Sequence, residues 1–100
     1  MNYEEALENA FKWSESKPSS ASKQAANVYI QAIPLAYVEA EGMNLPVQDA
    51  LWVQTLYILN NLRGWRGEEA RLSKDVLNNK VLLGEWIDSI PARLQMELIT

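Results

Sequence analysis

Apolar residues recur every three or four positions along almost the whole of this 100-residue chain, and no stretch sustains a two-residue alternation. That period matches one face of an α-helix and gives a β-sheet no face to bury. The punctuation agrees. Prolines at 18, 34, 46 and 91 and glycines at 42, 64, 67 and 84 divide the pattern into helix-length pieces. At this length a single core is the efficient solution, so residues 1–100 are read as one helical domain.

Four helices are predicted. The first runs from about Tyr3 to Ser14 or Glu15, with Asn2 as N-cap and Glu5 completing a capping-box-like pair. Its stripe is Tyr3, Ala6, Leu7, Ala10, Trp13 and Ser14. After the connection Ser16–Ser20, the second runs from about Ala21 to Glu41, and Gly42 is a natural stop. Ala26, Tyr29, Ile30, Ile33, Tyr37 and Ala40 line it, with a kink or break expected at Pro34 because proline removes a donor and clashes with the Ile30 carbonyl.

The third opens at Leu45-Pro46 and runs to Arg63, stopping at Gly64. Val47, Leu51, Trp52, Thr55, Leu56, Ile58, Leu59 and Leu62 cover half its circumference. The fourth starts at Glu68-Glu69, carries Leu72, Val76, Leu83, Trp86, Ile87 and Ile90, and stops at Pro91. Asn79 interrupts that stripe, and Gly84 weakens the helix unless close packing needs it. Pro91–Thr100 adds a short helical turn with Leu94 and Leu98. Short connections favour antiparallel neighbours, so the expected fold is all-α: an up-down four-helix bundle with a short C-terminal helical turn. Its hairpin seam would hold Leu51, Ile58, Leu62, Leu72, Val76, Leu83 and Ile87. A helix-turn-helix-like pairing of the last two helices is the topological alternative.

Composition restricts the chemistry. The chain has neither cysteine nor histidine, which excludes thiol catalysis, a disulfide scaffold, zinc fingers and any Ser-His-Asp triad. Glu5 and Glu8, like Glu85 and Asp88, are spaced to share a helix face. Glu85-x-x-Asp88 is similar to half of the ExxE plus ExxD arrangement by which all-helical nucleotide pyrophosphohydrolases hold magnesium or manganese. The two pairs stand far apart in this chain and outside the apolar stripes, so they read as a solvated acidic face. No catalytic residue, metal site or cofactor is expected.

Charge is uneven although the net value is only −4. Residues 1–50 hold three lysines against seven acids, whereas residues 51–100 balance six against six. No basic residue occurs between Gln24 and Leu62; then Arg63, Arg66, Arg71, Lys74 and Lys80 follow closely. The acidic side would attract a basic protein partner, including one that binds nucleic acid.

Two groups of residues are candidates for binding. Arg63, Trp65, Arg66, Arg71 and Lys74 form a basic corner with an aromatic in a turn bracketed by Gly64 and Gly67. Such a corner suits a partner protein, or a nucleic acid if Trp65 stacks a base and the cations hold phosphate. The structural alternative folds Trp65 back as a lid on the core. Trp13, Trp52 and Trp86, on or beside helix stripes, are expected in the core. The second group is Val28, Leu35, Val38, Val53 and Tyr57, apolar positions left over after each helix has supplied its core stripe. An exposed apolar patch promotes association, and a symmetric dimer is the simplest closed form. The alternative is a central third helix buried on every side. The expectation is therefore a small acidic interaction protein that binds another protein as a homodimer, with nucleic acid a lesser alternative and no membrane partner. The acidic start of the chain lacks the Lys and Arg of a presequence, and the expected compartment is the cytoplasm.

Overall fold

The structure is a computed structural model that describes the backbone of residues 1–99 and the side chains of residues 1–89. It is all-helical: α1 Tyr3–Glu15, α2 Ala21–Gln31, α3 Ile33–Gly42, α4 Val47–Asn60, α5 Glu68–Leu77 and α6 Lys80–Ile99. No strand occurs among the described residues. Six helices stand where four were expected, because the second and fourth predicted helices each divide in two.

The first division lies at Ala32, two residues before Pro34. Its N–H reaches both Val28 O and Ile30 O, and Pro34, which has no N–H to give, opens α3. The second lies at Asn78–Asn79. Asn78 closes α5, and the Asn79 side-chain oxygen accepts from the N–H groups of Val81 and Leu82 at 3.0 and 3.2 Å. Asn79 thus starts α6 as a side-chain cap, the role for which asparagine is favoured. At the N-terminus the expected cap is present, with Asn2 Oδ1 accepting from Glu5 N at 2.9 Å. Likewise Ser20 caps α2 through Lys23 N at 3.1 Å.

Two boundaries differ from expectation. α4 ends at Asn60 rather than Arg63; Leu62 and Trp65 continue in a turn in which Trp65 N donates to Leu62 O at 3.0 Å. α6 runs through Pro91, where a stop was expected. A proline removes one donor and leaves the rest of the helical ladder available. Ile90, Leu94 and Leu98 lie outside the described side chains.

α1 packs against α2 and α5, α4 against α2, α3 and α6. The centre holds Tyr3, Leu51, Ile58, Leu62, Leu77 and Leu83, all essentially free of solvent. The radius of gyration, 13.5 Å, is that of a folded chain of this length. Tyr3 of α1 hydrogen-bonds Thr55 of α4 through the core, while Thr55 donates onward to Leu51 O. Burial pushes the Tyr3 phenol up to about 12 against the relief supplied by Thr55. Trp13, Trp52 and Trp86 pack on the core only partly buried.

The expected seam needs one correction. Leu72 is 42% exposed, and α5 instead buries Ala70, Ser73 and Leu77. Reading residues 68–90 as one helix averaged the faces of two helices. Once the chain breaks at Asn78–Asn79, α5 takes its own phase against α1.

Candidate functional site

The basic corner closes on itself. Trp65 is only 7% exposed and stacks on Trp13 with ring centroids 6.0 Å apart and planes 22° from parallel. Trp13 also carries the Lys23 ammonium 5.3 Å from its ring. Lys23, itself buried, donates to the carbonyls of Ser16 and Pro18 and so ties the α1–α2 connection to the same aromatic pair. Gly67 adopts φ +109°, a value that side-chain-bearing residues rarely take, and lets the chain enter α5. Of the two readings of the turn, the one that folds Trp65 back as a lid on the core describes the structure. A large ring within reach of another buries its area against it. Its face is occupied by Trp13, so this arrangement offers no ring to a base.

The cations around it divide into two kinds. Arg71 is held by Glu68 at 2.6 Å and Asp75 at 3.7 Å, which raises its already high pKa. Lys74 donates to the Trp65 carbonyl, and its pKa is lowered by desolvation and by Arg66. Lys74 thus fastens the turn to α5, whereas Arg71 is engaged along the surface of α5 itself. Arg63 and Arg66 are exposed and make no ion pair among the described residues.

The second group stays open. Val28, Leu35, Val38, Val53 and Tyr57 are all between 46% and 63% exposed, on three consecutive helices that pack on one another. Each lies across its helix from the buried row: Val28 from Ala26, Leu35 and Val38 from Ile33, Tyr37 and Ala40, Val53 and Tyr57 from Leu51, Thr55 and Ile58. Tyr57 stacks on Tyr29 of α2 at 5.6 Å, and Gln54 Nε2 donates to Tyr29 O at 2.9 Å, fastening α2 to α4. Leu56, expected in the core stripe, is 41% exposed and joins this outer face. It lies 140° around the helix from Leu51 at ~100° per residue, a displacement the broad apolar wheel of α4 hid. Met43 and Leu45 in the α3–α4 turn are exposed as well. The alternative of a helix buried on every side therefore does not describe α4.

Glu5, Glu8, Glu85 and Asp88 are all exposed. Among the described residues no three carboxylates gather as a metal site would require. No helix among them is long and apolar enough to cross a membrane. A cleft of about 190 Å³ opens between Tyr3, Leu82, Glu85 and Trp86, whose rings at positions 3 and 86 stack at 5.0 Å. Comparison with family models, curated proteins and solved structures finds no match to this chain.

Proposed function

We propose that this protein is a small acidic, non-enzymatic interaction protein that acts by binding another protein and does so as a homodimer. The observation that supports this reading is the outer face of α2, α3 and α4. There Val28, Leu35, Val38, Val53 and Tyr57 each stand open to solvent. Leu56, Met43 and Leu45 are exposed on the same helices and the turn that joins them, and exposed apolar surface of this kind favours association. In this reading α2 with α3, and α5 with α6, serve as bent arms of an up-down bundle of four. The far side of α4 is then where a second copy packs. A dimer needs only one such self-complementary surface. The cysteine-free composition fits work in the cytoplasm.

Size measurement tests the reading. Sedimentation at micromolar concentration should report about twice the 11.4 kDa chain mass. Val53→Glu or Val38→Lys should give a monomer with an unchanged helical circular dichroism spectrum. A wild-type chain that stays monomeric overturns the proposal.

A further inference from the structure

The two ends of the outer face differ in charge, and the difference bears on how a second copy would sit. Glu39 and Glu41 lie in the last turn of α3 and Asp49 in the first turn of α4, so all three acids cluster around the connection between those helices. All are exposed. Lys80 of α6 comes to this same end of α4, its carbonyl accepting from Gln48 Nε2 at 3.4 Å and its ammonium 5.0 Å from the centre of the Trp52 ring, while the segment between Gln24 and Leu62 carries no basic residue of its own. Just past the other end of α4 come Arg63 and Arg66, exposed and without ion pairs among the described residues. The basic corner's other acids are partly committed, because Glu68 and Asp75 both face Arg71. With 14 residues, α4 separates its two ends by about 21 Å. The exposed apolar side chains Val53, Leu56 and Tyr57 lie between them.

We infer that two copies pair α4 against α4 in antiparallel register about Val53, with the acidic end of each copy against Arg63 and Arg66 of the other. This rests on the dimer proposed above and adds its orientation. A parallel pairing would set acids on acids and arginines on arginines at both ends. The antiparallel one satisfies both ends with the same contact, as a two-fold axis requires. Val53, near the middle of α4, then meets itself, and Tyr57 meets the first turn of the other copy's helix beside Asp49. The corner and the outer face, separate in sequence analysis, become the rim and the centre of one interface. Apolar contact supplies the affinity there, and the end charges choose the register.

The absence of cysteine makes the register directly readable, because an introduced thiol has no competitor. Val53→Cys should oxidise to a covalent dimer. Asn60→Cys should not, since antiparallel pairing about Val53 keeps the two copies of position 60 about 21 Å apart. A disulfide needs Cα atoms within about 7 Å. Arg63→Glu with Arg66→Glu should weaken dimerisation on the order of tenfold in Kd, and added salt should weaken the wild-type dimer in the same direction. Efficient cross-linking through Asn60→Cys overturns the register in favour of a parallel pair. A dimer by sedimentation whose Kd ignores the double charge reversal overturns the role of the arginines. A dimer in which Val53→Cys does not cross-link places the interface elsewhere. A chain that never dimerises fails the underlying proposal instead, so the two failures are told apart.

Discussion

The turn after α4 and the outer side of α4 both offered apolar residues for binding, and folding treated them in opposite ways. Trp65 sits in a turn, where backbone freedom allowed it to swing onto Trp13 and bury. Val53, Leu56 and Tyr57 sit in the middle of a helix whose phase is already committed by Leu51, Thr55 and Ile58. A helix cannot turn a surplus side chain inward without turning a core side chain outward. A surplus apolar residue in a turn can therefore reach the core where a partner ring lies within reach, as Trp65 does and Met43 and Leu45 do not, whereas surplus hydrophobicity on a helix stays on the surface. The second kind is the more informative about partners.

Removing Trp65 breaks the comparison most severely. Trp65→Ala should cost about 3–5 kcal/mol in a denaturant unfolding curve, as truncation of a buried tryptophan does. A near-neutral result would mean that the turn ring is dispensable and that the two regions are alike after all.

The same contrast holds between leucines that a single stripe would have made equivalent. Leu62→Ala should cost about 2–5 kcal/mol. Leu72→Ala, at an exposed position, should cost less than about 1 kcal/mol. Equal losses at the two sites would restore the continuous seam and contradict the separate phase of α5.

The inner side of α4 faces a buried phenol of α1 whose titration links stability to pH. The Tyr3 phenol titrates near 10 in the unfolded chain and is pushed up to about 12 in the fold. Between those values the native state binds the extra proton, so stability is complete below pH 10 and falls as the pH rises towards 12. The loss attributable to this group should be on the order of 2 kcal/mol. Tyr3→Phe should flatten that part of the profile. A Tyr3→Phe profile as steep as wild type would remove Tyr3 from the account.

Much of this could be seen in the chain itself. The buried faces of α1 and α3 follow from their spacing, and Pro34 announced the α2–α3 break. The five outer-face residues stood out because each helix needs only one buried stripe. What could not be seen had specific physical causes. Asn79 can end a stripe or cap a helix, and only its bonds to the N–H groups of Val81 and Leu82 distinguish the two. That ambiguity concealed the break, and with it the exposure of Leu72. Leu56 was hidden by the sheer breadth of the apolar wheel on α4. For Trp65 the lid reading was open in the sequence, but not the ring it would pack on, because Trp13 lies far away in the chain and comes near only through the packing of α1 on α5.

The claim that the outer face of α2–α4 binds a second copy is tested most directly by sedimentation equilibrium of the wild type beside Val53→Glu. Stability should hardly separate the two, within about 0.5 kcal/mol, because position 53 is exposed in the folded chain. Mass should separate them completely. The account predicts about twice 11.4 kDa for the wild type at micromolar concentration and 11.4 kDa for the variant. A wild type that remains at 11.4 kDa, or a variant that remains as heavy as the wild type, would contradict it.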